Sequence, residues 1–186
     1  MIGYAFCGSY CTHAASLRQL ESLLRAGHEI QAIVSENVFS TDTRFGRATE
    51  LISRLETLTG RAVIHSIVDA EPLGPKVALD AMIIAPCTGN TLAKLAAGIT
   101  DTAVCMAAKA HLRGNRPLVI ALASNDALSA NLKNIATMLS RKFVYFVPLF
   151  QDDPQKKPHS LIADFTLLEP TLTAALEGRQ YQKIFV

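Results

Sequence analysis

Thr88, Gly89, Asn90 and Thr91 sit where an apolar strand gives way to a helix, inside the run Asp80–Asp101. Met82 to Ala85 is apolar, Pro86 is expected to end the strand, and a helix-forming stretch follows. Unpaired N–H groups in a helix's first turn, with the positive end of its dipole, stabilise an anion such as a phosphate. The Thr88, Asn90 and Thr91 side chains add hydrogen-bonding groups, and Gly89 lets a ligand approach the backbone closely. An ordinary capped helix after a buried strand carries the same pattern.

Three more polar turns follow apolar runs: Gly8-Ser9 with Thr12 beyond, Ser35-Glu36, and Ser124-Asn125-Asp126. One such turn means little, but four after four strands point to a cofactor site. Asp126 suits a proton-accepting or cofactor-holding role and suits helix capping equally well.

The elements that must position these turns alternate. Ile2–Cys7 reads as a strand, Ala14–Ala26 as a helix stopped by Gly27, and Glu29–Val34 as a second strand. A polar loop over 35–43 leads to a helix around 47–58, closed by Gly60, and then a weaker third strand over 62–67. Pro72, Gly74 and Pro75 exclude regular helix before the fourth strand. Asp101 is placed to cap an alanine-rich helix over 103–112 that is apolar nearly all round, hence buried within the chain or against another copy. Leu118–Ala123, a helix over 128–139, a sixth strand over 143–147 and a short helix over 169–176 complete the series. Near-continuous apolar strands alternating with helices mean a parallel sheet covered on both faces. The expected fold is α/β: a three-layer Rossmann-like sandwich with a parallel sheet of about six strands in the order 3-2-1-4-5-6. It is read as one domain over 1–186, with a polar arm at about 148–165 lying over a site or forming a plain surface loop.

Composition narrows the function classes. The chain of 186 residues is 49% apolar and 18% charged, with a net charge of +2. It is therefore globular, and its interspersed charges give no nucleic-acid footprint. No apolar run approaches the ~20 residues that cross a bilayer. The N-terminus lacks the charged start of an export signal, so the four cysteines are expected reduced, in a cytoplasm. They form no C-x-x-C pair, so no metal site is expected. Cys87 borders the fourth-strand turn, where a small buried apolar role is its default, and His13 lies one turn beyond the first-strand loop.

The polar turns favour one nucleotide type over another. A dinucleotide fingerprint needs G-x-G-x-x-G after the first strand; here Gly8 is followed by Ser9 and Tyr10, with no further glycine until Gly27. Glu36 after the second strand is a weak signal by itself. Flavin mononucleotide (FMN), with one phosphate and its ring bound elsewhere, suits this turn better.

The segment P-C-T-G-N-T-L-A-K-L-A, with Gly98 and Asp101 beyond it, resembles the homo-oligomeric flavin-containing cysteine decarboxylase superfamily. Within it, G-S-Y-C-T at 8–12, S-T-D-T-R-F-G at 40–46, A-E-P-L-G-P-K at 70–76, S-N-D-A-L at 124–128 and Q-D-D-P-Q-K-K-P at 151–158 resemble the branch formed by B subunits of bacterial dipicolinate synthases. The resemblance implies FMN held by Gly8, Ser9, Ser35, Thr88, Gly89, Asn90, Thr91 and Ser124, with Thr12 and Asn125 in the same turns. It implies trimer-based assembly, a nicotinamide-dependent A subunit as partner, and formation of pyridine-2,6-dicarboxylate from a dihydrodipicolinate-type intermediate during sporulation. Asn90 and Asp126 are then the candidate catalytic side chains. A dicarboxylate needs cations: Arg44 for a bidentate grip, and Lys76, Lys156 or Lys157 as point charges, although each alone is more often a solvated surface residue. The superfamily's decarboxylases carry a histidine before the fourth strand, where this chain has Glu71-Pro72-Leu73-Gly74-Pro75, so decarboxylation is disfavoured. The alternatives are a flavin-dependent decarboxylase and a non-catalytic FMN-binding scaffold that activates its partner.

Overall fold

The computed structural model describes residues 1–74 and 76–186, so Pro75 of the proline-bearing loop lies outside the described residues. Strand β1 (Ile2–Phe6) is buried along its whole length. After a 3-10 turn at Tyr10–Thr12, helix α1 (His13–Arg25) buries Leu17, Leu20 and Leu23 on one stripe and ends before Gly27, whose φ of 90° suits a residue without a side chain. Truncating the fully buried Leu20 to alanine would cost about 2–5 kcal/mol. Strand β2 (Ile30–Val34) is followed by α2 (Glu36–Ser40), α3 (Ala48–Thr59) and α4 (Ile67–Ala70). Then come β3 (Ala81–Cys87), α5 (Gly89–Ala97), α6 (Ala103–Leu112), β4 (Leu118–Ser124) and α7 (Leu132–Leu139). Strands β5 (Val144–Phe146), β6 (Leu149–Phe150) and β7 (Leu161–Ala163), then helix α8 (Leu168–Leu176), complete the chain.

The fold is the expected α/β three-layer arrangement, with seven strands rather than about six. β1 lies between β2 and β3, β3 pairs with β4, and β4 pairs with β5, all parallel. Helices α1, α3 and α8 cover one face; α4, α5, α6 and α7 cover the other.

Several local expectations are corrected. The third strand is reduced to a single bridge, Ile33 to Ile64, because His65 and Ser66 turn the chain into α4. It still occupies the expected place outside β2. β3 does not stop at Pro86 but runs on to Cys87, with a register shift against β4, and the Pro86 carbonyl accepts from the Cys7 N–H at 3.1 Å. α6 is capped by Thr102, whose hydroxyl accepts from the Cys105 N–H, while Asp101 instead holds the Lys94 ammonium at 2.8 Å. The helix expected over 128–139 begins only at Leu132. α6 is buried within this chain among α4, α5, β2 and β3.

β6 and β7 have no counterpart among the strands expected from the sequence. They form an antiparallel pair flanking 151–160, and β7 also pairs with the last residues of β4, Ile162 against Ala123 and Leu161 against Ser124. The outer edge of β4 is therefore taken by β5 at its start and by β7 at its end.

Candidate cofactor cleft

The carboxyl ends of β1, β3 and β4 converge. Leaving β1, the chain tightens at once: the Ser9 N–H donates to the Cys7 carbonyl at 2.9 Å, and the Thr12 hydroxyl to the Ser9 carbonyl at 2.8 Å. The Ser9 hydroxyl then reaches past β3 to donate to the Ala123 carbonyl at 2.8 Å, tying the tip of β1 to the tip of β4. At the end of β3, Thr88 caps α5 by accepting from the Thr91 N–H at 3.1 Å. Gly89 completes the closure. A Cβ there would meet Ser124 Oγ and Asn131 Nδ2 at 2.6 Å and Asp126 Oδ1 at 2.9 Å, so only glycine fits.

Between these tips lies a cleft of about 410 Å³, within the range of small-molecule sites. Gly8, Ser9, Thr12, Thr88, Gly89, Ser124 and Asn125 line it, so seven of the ten expected cofactor contacts share one cavity. Arg44 and Lys157 line it as well.

The remaining expected residues stand elsewhere. Thr91 is buried and committed internally: its hydroxyl accepts from Thr88 and donates to the Cys7 sulfur at 3.3 Å. Asn90 is exposed on the first turn of α5, beside the cleft and not in its lining. Ser35 is half-buried at the end of β2, where its N–H donates to the Phe6 carbonyl. Lys76 precedes β3, whereas the cleft follows it, and seven residues of strand put about 20 Å between them. Lys156 is exposed outside the lining, its N–H donating to the Asp153 carboxylate.

Electrostatics sort the titratable neighbours. Asp126 is held below the usual carboxylate range, first by the Ser124 hydroxyl and also by Asn131, against a smaller desolvation effect. Burial pushes the Cys7 thiol up to about 12 and raises Cys87 well above its ordinary value, so both are neutral thiols rather than nucleophiles. Burial lowers His13, partly offset by its 2.8 Å hydrogen bond to the Cys7 carbonyl. Lys157 and Asp152 form a 2.6 Å ion pair at the cleft mouth. Arg44 lies over the Phe45 ring at 4.8 Å.

Sequence reasoning missed Tyr10, Phe45, Leu161 and Ile162 as lining residues. Phe45 was the findable one, a large aromatic in an otherwise polar loop, 54% exposed. Among the described residues, no three His, Cys, Asp or Glu side chains are grouped to hold a metal ion, and no helix is long and apolar enough to cross a membrane.

Comparisons with known proteins agree on the relationship. The profile of the family described as Flavoprotein matches residues 2–166. The B subunit of the Bacillus subtilis dipicolinate synthase is 49% identical over 185 residues, covering 100% of this chain and 92% of its own. The crystal structure of the dipicolinate synthase B subunit from Bacillus halodurans superposes with a TM-score of 0.91 at 43% identity, covering 100% of this chain and 95% of that one. The FMN-dependent cysteine decarboxylase SpaF shares the fold alone, with a TM-score of 0.67 at 23% identity over 95% of each chain. The chain therefore belongs to the flavoprotein family, as a homologue of the dipicolinate synthase B subunits.

Proposed function

We propose that this chain binds FMN in the cleft and serves as the B subunit of a cytoplasmic dipicolinate synthase. With a nicotinamide-dependent A subunit, it forms pyridine-2,6-dicarboxylate from a dihydrodipicolinate-type intermediate during sporulation. The observation that carries this reading is the bond from Ser9 to the Ala123 carbonyl, which draws two strand tips together and leaves a cleft lined by small polar residues. Likeness to a dipicolinate synthase B subunit over the whole chain gives the reaction class.

The residues present fit FMN. Gly89 lets Ser124 and Asn131 pack against the start of α5, whose first turn offers unpaired N–H groups to a phosphate. Gly8, Ser9, Thr12, Thr88, Ser124 and Asn125 would line the FMN site. When bound, FMN supplies two-electron acceptor chemistry. The chain's own residues position and exclude. Lys157 and Asp152 brace the 151–160 arm internally where it lines the cleft, Arg44 adds a positive charge to the lining, and Asn90 stands exposed beside it. Loss of two hydrogens from a dihydropyridine ring yields an aromatic product, so orientation and proton removal are the protein's main tasks. The assembly is proposed to be trimer-based.

The test is direct. The purified chain should carry flavin absorbance, or take up FMN on titration, and the complex with its A subunit should form dipicolinate. Turnover that is unchanged in flavin-free protein would remove the redox role and leave an activating scaffold.

A further inference from the structure

A second cavity of about 410 Å³ lies between α1 and α3, beneath the loop 41–47. It shares Tyr10, Cys11 and Phe45 with the cofactor cleft, so those three residues are a common wall between two chambers. Tyr10 is fixed there: its hydroxyl donates to the Asn37 carbonyl at 3.0 Å, and its ring lies 5.1 Å from that of His13. The floor is apolar, formed by Leu17, Val38 and Ala48, all buried. The rim is cationic, and its cations differ in their commitments. Arg54 is held by Glu21 at 2.6 Å, whereas Arg18 and Arg47 have no carboxylate within ion-pairing distance among the described residues. Glu50 is the one acidic lining residue.

We propose that this second chamber, resting on the reading of the first as the FMN cleft, binds the reaction's small planar dicarboxylate, with Arg18 and Arg47 holding its two carboxylates. An apolar floor accepts a flat ring, and two uncommitted guanidinium groups accept carboxylates by charge-assisted, bidentate hydrogen bonds. Tyr10 and Phe45 border both cavities, so a ring held in the second lies next to the cleft. Glu50 opposes a dianion and limits its affinity, which allows rapid release of product.

The probes are pyridine-2,6-dicarboxylate and the monocarboxylate pyridine-2-carboxylate, titrated calorimetrically into FMN-loaded chain. The dicarboxylate should bind at least about tenfold more tightly than the monocarboxylate. Arg18→Gln and Arg47→Gln should each weaken the dicarboxylate by about tenfold, while Glu50→Gln should tighten it several-fold. Flavin content should stay at the wild-type level in all three, because none of these residues lines the cofactor cleft. Their thermal midpoints separate lost binding from lost folding. Dicarboxylate affinity indifferent to all three substitutions, or no binding at about 10 mM, would overturn the proposal while retained flavin leaves the cofactor reading intact. Absence of flavin from the wild-type chain would instead remove the cofactor reading on which it rests.

Discussion

Ser124 donates a 2.5 Å hydrogen bond to the Asp126 carboxylate, whose two oxygens also accept from the Asn131 amide at 2.9 Å. The serine's proton is thus committed to the carboxylate, and its lone pairs are what it can offer the cleft. Ser124 therefore presents an acceptor to the cleft and no free proton. The Ser9 and Thr12 hydroxyl protons are likewise committed, to the Ala123 and Ser9 carbonyls, so the unpaired donors nearby are the backbone N–H groups at the start of α5.

Replacing Asp126 with asparagine should destabilise the chain by about 1–3 kcal/mol at pH 7, because charge-assisted hydrogen bonds are lost. The folded carboxyl is depressed, so its contribution is fully present above the ordinary value of about 3.9 and disappears as pH falls through the folded value. Urea unfolding at pH 7 and at about pH 3 should show the wild type and Asp126→Asn differing at the first and less at the second. A constant difference at both would contradict this account.

Gly89→Ala should lower FMN affinity by at least about tenfold and reduce the thermal midpoint, because its methyl would displace Ser124 and Asn131. Adding Ser124→Ala removes one of the two close neighbours, so the double variant should recover part of the lost midpoint. Fluorescence quenching of FMN measures the first effect and thermal melts the second.

His111 gives the fold a pH limit. Its Nε2 donates to the Pro117 carbonyl at 2.9 Å, while its Nδ1 is buried with no partner among the described residues. Burial, the largest cause, holds its pKa below the ordinary value. A depressed histidine contributes stability above its unfolded pKa of about 6.5 and loses it as pH falls towards the folded value. Stability should therefore fall from pH 7 to pH 5, and His111→Gln, which keeps a donor without a titrating ring, should shallow that slope. His13, lowered in the same direction, would supply part of what remains.

The 151–160 arm borders the cleft through Asp152, Lys157 and Ser160. Lys157 is followed by Pro158, which blocks tryptic cleavage there, so Lys156 is the cut site in the arm. Saturating FMN should slow cleavage after Lys156 several-fold relative to the flavin-free chain, read by mass spectrometry of the fragments. Equal rates would show that the arm takes no part in holding the cofactor.

The alternation of strands and helices was legible because fully buried strands such as β1 and β3 leave uninterrupted apolar runs. β6 and β7 were not, since two- and three-residue strands have no period to detect. The four polar turns could be placed on one edge of the sheet from topology alone, and topology also sets Lys76 on the opposite edge. What the sequence could not reveal is which polar side chain is already occupied. Thr88 and Thr91 look like free hydroxyls, yet Thr88 donates to Thr91 and Thr91 to a buried sulfur. Glu36 was a weak signal of a dinucleotide fingerprint, and in the structure its carboxylate accepts from the Ala103 N–H at 2.8 Å at the start of α6. Arg18 and Arg47 lie 29 positions apart in the chain and show no shared pattern until α1 and α3 are set side by side.

The pairing of β7 with the last two residues of β4 makes the roof of the cleft continuous with its back wall. Lifting that roof would unzip rungs of the ladder that fixes Ser124, so the doorway cannot swing freely while the interior stays intact. Escape of a nucleotide from this site would thereby be yoked to a local melting of the sheet's margin, and its residence time should track the strength of that short seam.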